Sequence, residues 1–318
     1  REQAKKKIKE LVNKYQVEKE AGKLKSYSEE ETKNCFILPL FAALGWDITN
    51  KYEVSAEEHM RSQGRVDFGF YINSIVKFYL EAKPFKADID RDEYARQAIR
   101  YSWHKGITYA ILTDFESVKV FNAIADSKSL LDKLIFELPC EEFLADFETL
   151  WLLSKESFTD NALDKYAEKH GKKKKKLTVN EKLFEDLKEA RKILTKAFKT
   201  WTENLSQEDV EEGVQRILDR LVFIRVLEDK GIEQPILKNL IHEAKSEKDL
   251  NRQLFPLLIA KFRELDEIYD SSIFKEHACE KWTEYEGAIE KVINLLYGGG
   301  MYEYDFKEIP ADILGGVY

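Results

Sequence analysis

The sequence predicts an α/β domain built on a mixed sheet flanked by helices, followed by an all-α part. Three observations carry this. Up to Ala123 the pattern runs helix, strands, helix, strand, strand. From Glu141 onward only helical periods occur. Between the halves lies an unbroken lysine run, Lys172 to Lys176, directly after Gly171. Like charges repel and solvate, so the run reads as an exposed linker or flexible loop, with a DNA-phosphate contact as the alternative.

Lys5 to Tyr15 places Ile8, Leu11 and Val12 at helical spacing. Ser28 suits an N-cap, and Glu29, Glu30 and Glu31 fall in the first turn, where the helix dipole favours acids. Phe36, Ile37, Leu40, Phe41 and Leu44 continue as an apolar stripe that Gly45 can close. Arg65 to Ile72 alternates, with Val66, Phe68 and Phe70 on one face and Asp67 on the other. Ile75 to Leu80 is β-branched and aromatic, and Asn73-Ser74 between the two runs suits a hairpin turn. Asp92 to His104 reads as a helix; Tyr109 to Thr113 and Val118 to Phe121 read as strands. Five helices are expected beyond the lysines: Val179 to Trp201, Asp209 to Glu228, Ile236 to Ala244, Leu250 to Phe262 and Tyr285 to Leu296. Gly298 to Gly300 then breaks the pattern.

The totals narrow the function class. A length of 318 residues suffices for two cores. At 43% hydrophobic and 35% charged, the composition is that of a globular chain, not a disordered one. No apolar run approaches the roughly 20 residues of a membrane helix, and Arg1 to Glu10 has no secretion-signal core. Cys35, Cys140 and Cys279 are odd in number and far apart, which speaks against a zinc site or disulfide framework and for a cytoplasmic protein. A net charge of −8 does not advertise a nucleic-acid binder, though a basic cleft can sit on an acidic protein.

One constellation carries chemistry. Asp67 lies on one extended run; Glu81 and Lys83, two apart, point to the same face of the next. Two adjacent antiparallel strands can bring the three together. Two carboxylates hold a hard cation such as Mg²⁺ through oxygen. The cation polarises a phosphoryl oxygen and lowers the pKa of a bound water; a lysine can orient that water and offset charge in the transition state. Taken alone, Glu81-Ala-Lys83 reads as a solvent-facing charge alternation, which explains most such triplets on a strand. Its context is apolar, with Phe78, Tyr79 and Leu80 immediately before it.

The stretch from Ser28 to Ala123 resembles the N-terminal PD-(D/E)XK nuclease domains of type I restriction subunits and of fused type IIG restriction-modification enzymes. The matching pieces are Glu29 to Thr32 before Phe36 to Leu40, then Leu44 to Asp47, Gly64 to Phe68, Phe78 to Lys83, Gln97 to Tyr101 and Thr108 to Thr113. The resemblance implies a restriction-endonuclease-like fold with Asp67, Glu81 and Lys83 as catalytic core and Asp67 and Glu81 as metal ligands. It implies Mg²⁺ as cofactor, with Mn²⁺ as substitute, and double-stranded DNA as partner. A further acidic residue is expected from the early helix: Glu29 by spacing, with Glu31 as runner-up. Gln97 and Tyr101, on one helical face, are expected near the active site and DNA backbone, with Arg96 and Arg100 on the same helix suited to phosphates. Packing of Tyr101 against the sheet is the alternative. Val66 stands where the family name has Pro.

The later half resembles the helical connector of type IIG enzymes, chiefly Arg220 to Gly231; from the residues alone this is a buried helix closed by glycine. Tyr304 to Tyr318 resembles the junction to an adenine methyltransferase domain. No Gly-rich loop after a strand and no N-P-P-Y-like segment occurs, so S-adenosylmethionine is expected only in a methyltransferase region outside this chain, together with the target-recognition region. The expected organisation is 1–155 nuclease domain, 156–178 linker and 179–318 helical connector. The other readings are a DNA-binding or scaffolding module that no longer cuts, and a methylation-based phage-defence protein sharing only the connector.

Overall fold

The structure, a computed structural model, describes residues 1–60, 64–246, 254–269, 271–285 and 287–309. It divides into two compact units, Arg1–Thr178 and Val179–Tyr318.

The first unit opens with α1 (Glu2–Glu20), which buries Ala4, Ile8, Val12 and Tyr15 along one stripe. Ser28 caps α2 (Glu29–Thr32) in a reciprocal box with Glu31, as the Ser-x-x-Glu spacing foretells. The chain then widens into a π turn over Lys33–Ile37 before α3 (Leu38–Ala43). Pro39 explains the widening. It has no N–H to give the Cys35 carbonyl, and its ring would crowd that oxygen in an α-helix. The freed carbonyl accepts instead from Lys14 Nζ at 3.1 Å. Gly45, at φ +94°, closes the helix with the Trp46 N–H returning to the Phe41 carbonyl.

Six strands form one sheet in chain order: β1 (Val54–Met60), β2 (Gly64–Ile72), β3 (Ile75–Ala82), β4 (Tyr109–Thr113), β5 (Ser117–Asn122) and β6 (Leu134–Pro139). All neighbours are antiparallel except β3 and β4, whose parallel pairing is made possible by the crossover helix α4 (Asp92–His104). Asn73 and Ser74 both take positive φ, which matches the twist of the β2–β3 hairpin. Phe70 and Phe78 stack at 4.4 Å, and Phe41, Trp46 and Phe158 close around them. The mixed sheet with flanking helices and the helical part that follows are the fold class the sequence predicts.

Three features differ from expectation. β1 is unanticipated because its sequence, Val-Ser-Ala-Glu-Glu-His-Met, is mostly polar, as befits a strand at the sheet edge. β6 is unanticipated because it follows the short α5 (Leu130–Lys133) without alternation. Residues 156–178 are no linker: α7 (Lys155–Thr159) and α8 (Ala162–Lys169) follow α6 (Phe147–Trp151) and bury Phe158, Leu163 and Ala167 in the first unit's core. The lysine run is tied down by its backbone. Asp126 N–H donates to the Lys175 carbonyl and Leu177 N–H to the Ile124 carbonyl, both at 2.8 Å. Charge repulsion governs where the side chains go; it does not prevent the main chain from pairing.

The second unit is helical among its described residues: α9 (Val179–Trp201), α10 (Gln207–Asp229), α11 (Ile236–Ser246), α12 (Leu254–Tyr269) and α13 (Ala288–Tyr297). Leu250, the expected start of the fourth helix, and residues 310–318 of the expected junction lie outside the described residues. The last helix starts after Gly287 (φ +67°) rather than at Tyr285. α10 is the buried centre. Gly213 is required there because a β-carbon would meet the Trp282 ring at 2.1 Å. Arg220, fully buried, donates to the Ile273 and Lys275 carbonyls and to Glu280, at 2.9, 2.6 and 2.8 Å. Gly231 at φ +68° ends the helix, as its sequence anticipates.

Candidate active site

The site sits where the β2–β3 ladder ends. Paired residues run to Phe68 and Leu80; the next N–H of β3, that of Ala82, goes to Asp67 Oδ2 at 2.7 Å. A carboxylate thus takes the place of a ladder carbonyl. Past this point the strand no longer alternates as expected. Val66 packs with Tyr79 and Tyr101, while Phe68 and Phe70 belong to the main core.

On β3, Phe78, Leu80 and Ala82 face the main core, and Tyr79, Glu81 and Lys83 take the opposite parity. Lys83 follows the strand's last residue and is fixed by its N–H to the Thr113 carbonyl at 2.9 Å, before Pro84 ends the pairing. Its ammonium reaches Glu81 Oε1 at 2.6 Å and lies 4.7 Å from the ring centre of Tyr94 on α4. Glu81 is 4% exposed. Burial, with the charges of Asp67 and Glu29 adding, outweighs Lys83 and pushes its carboxyl up to about 7.

Sequence reasoning missed Lys33. Its ammonium bridges Asp67 Oδ1 and Glu29 Oε1, the latter at 2.8 Å. Burial works against that charge, but the two carboxylates prevail and raise its pKa. The available signal was its position four residues after Glu29 in a helix aimed at the sheet, though lysine at that spacing is ordinarily a surface ion pair. Glu29 and Glu31 part company. Glu31 accepts both the N–H and Oγ–H of Ser28 at 2.8 Å and serves the cap; Glu29 joins the Lys33–Asp67 network.

On α4, Tyr101 is buried edge-on against Tyr79 at 4.7 Å. Tyr94 and Tyr101 therefore mark the stripe that covers the Glu81 face, and half-buried Gln97 lies between them. Arg96 pairs with Asp92 at 3.1 Å within the helix, and Arg100 is half-buried. Asp67, Glu81 and Lys83 are thus brought together with Glu29. Arg96, Gln97 and Arg100 stand on the neighbouring helix, Arg96 engaged with Asp92.

The donor set fits a hard divalent cation. Two carboxylates converge on adjacent strands, one of them buried enough to resist ionising without added positive charge. Among the described residues no group of three or more Asp, Glu, His or Cys is placed to hold a metal ion. The residues available to one are the pair Asp67 and Glu81, and Mg²⁺ can be held through one or two carboxylates.

The raised pKa predicts a pH dependence. The unfolded chain releases the Glu81 proton near 4.5, whereas the folded protein keeps it to about 7. Between those values the folded state binds more protons, so stability falls as pH rises, by roughly 3 kcal/mol in all. Glu81→Gln is expected to flatten this fall in denaturant titrations of the metal-free protein between about pH 5 and about pH 8. Buried Asp114, likewise pushed up to about 7, preserves part of the slope in both proteins. An unchanged slope in the variant would count against a buried, ionisable Glu81.

The architecture is that of an α/β domain with paired carboxylates and a lysine at the end of its central hairpin. No family model matches the chain. A type II restriction enzyme and methyltransferase, RM.Eco57I of Escherichia coli, is 27% identical over 329 aligned residues, which cover 98% of this chain. The similarity to restriction-modification enzymes thus extends along the whole chain, beyond the motifs of its first half. The chain spans about a third (32%) of the length of that curated relative. The crystal structure of the type IIG restriction endonuclease BpuSI aligns over 92% of this chain and 31% of that one, at 14% identity and TM-score 0.31. No helix among the described residues is long and apolar enough to cross a membrane.

Proposed function

We propose that the first unit is the cleavage domain of a restriction-modification protein, hydrolysing phosphodiester bonds of double-stranded DNA with Mg²⁺, or Mn²⁺ in its place. The supporting observation is the convergence of Asp67, Glu81 and Lys83 at the frayed end of the β2–β3 ladder. Asp67 and Glu81 would hold the cation, which supplies Lewis-acid activation of the scissile phosphate and of water. Lys83, fixed by Glu81 and Tyr94, orients the attacking water and offsets charge that builds on the phosphate. Glu29 assists from the early helix, and Gln97 and Tyr101 line the approach on α4. In this reading the second unit connects cleavage to a methyltransferase region outside this chain, where S-adenosylmethionine and target recognition belong, and the protein works in the cytoplasm. Lys83→Ala in the full-length enzyme is expected to lower Mg²⁺-dependent cleavage about 10²- to 10³-fold while the protein stays folded. Cleavage at the wild-type rate would overturn the assignment.

A further inference from the structure

We infer that Lys33 is a built-in counter-ion, holding the cation position between Glu29 and Asp67 in the metal-free protein and setting how tightly a divalent ion can enter. This rests on the metal-site reading above and extends it to a residue that lies between the matching motifs. Both oxygens of Asp67 are engaged: Oδ2 takes the Ala82 N–H at 2.7 Å, and Oδ1 takes the Lys33 ammonium. The backbone bond is fixed by the sheet. The lysine, on a flexible stem, is the partner that can leave. Its side chain is 12% exposed, so little water shares the charge, and Glu29 at 2.8 Å holds it from the other side. A divalent ion that uses Oδ1 must either displace this ammonium or sit beside it, and like charges at such range repel strongly in a half-buried site.

The placement is built into the chain. The Leu38 N–H bonds to the Lys33 carbonyl across the π turn, and Pro39 prevents ordinary helical closure. π turns inside helices often mark functional positions. With Lys33 in place, Asp67 and Glu29 are balanced without metal. With the ion bound, Lys33 gives up its contact with Asp67 Oδ1.

The test is calorimetric titration of the full chain with Mn²⁺, without DNA. Lys33→Gln, folded by circular dichroism, is expected to bind Mn²⁺ about tenfold more tightly than the wild type, because the competing charge is gone. Lys33→Arg, which keeps the charge, should remain near the wild type. Metal-free Lys33→Gln should melt at a lower temperature than the wild type and gain more from added Mn²⁺. Lys33→Met keeps the apolar stem and provides the same readout if the glutamine variant does not fold. Wild-type binding with equal or weaker binding by the uncharged variants overturns the counter-ion role and leaves the metal site standing. The absence of Mn²⁺ binding in all of the proteins overturns both.

Discussion

Asp67→Asn is expected to fold, yet to lose at least about 10²-fold in Mn²⁺ affinity and on the order of 10³-fold in DNA cleavage. The reason lies in the two roles of one side chain. Asp67 Oδ2 replaces a ladder carbonyl by accepting the Ala82 N–H. An amide oxygen can still accept that bond, so the end of the hairpin survives. The charge that faces Lys33 and a cation does not survive. Lys33 is left with Glu29, and Glu81, with less negative charge beside it, ionises more easily. Asp67→Ala would add loss of the backbone bond, about 1–3 kcal/mol for a buried donor left unmade. Comparing the two variants by thermal unfolding and by metal titration separates scaffolding from ligation. An asparagine variant that binds Mn²⁺ with wild-type affinity would rule Asp67 out as a ligand.

The second large effect belongs to the helical unit. Arg220→Met is expected to cost about 3–5 kcal/mol, a large part of a typical domain's stability. The guanidinium is fully buried, and its three partners, the Ile273 and Lys275 carbonyls and Glu280, draw the 271–281 segment onto α10. Methionine fills much of the volume but satisfies neither carbonyl. Glu280 keeps Arg263 Nη2 at 3.0 Å and the His277 N–H at 3.2 Å, which moderates the loss. The Phe262 ring, 5.0 Å below the guanidinium, loses its cation as well. Amide hydrogen exchange is the direct probe. Protection in α10 and across residues 271–281 should fall together, and undiminished protection there would show that Arg220 is not what fastens the segment.

The sequence was most legible where local chemistry and tertiary packing agree. Ser28 and Glu31 form the cap their spacing announces; Asp92–His104 and Tyr109–Thr113 begin and end where their patterns do. It was least legible where a residue's surroundings come from far along the chain. β1 is mostly polar in sequence, and nothing within the strand reveals its partner, Phe70 to Gly64. The lysine run looks like solvated coil until Asn122 and Asp126 donate to its carbonyls. The site divides the same way. Glu81 and Lys83 are paired by strand parity, which can be counted. The distinction between Glu29 and Glu31, and the presence of Lys33 beside Asp67, depend on how one irregular helix meets the sheet. Arg96, expected at phosphates from its spacing to Arg100, also pairs with Asp92 one turn earlier, a contact its i,i+4 spacing allows.

That irregular helix has a consequence of phase. A π turn inserts one residue into a helical repeat of 3.6, so everything after it is rotated by about 100° relative to everything before. Phe36 and Ile37, within the turn, are both completely buried. Ahead of the insertion, Glu29 and Lys33 look along the sheet toward Asp67; behind it, Leu40, Phe41 and Leu44 look into the aromatic core. One short rod thus serves two surfaces that a regular helix would have to choose between. Proline at position 39 acts as the clutch that sets one half out of step with the other.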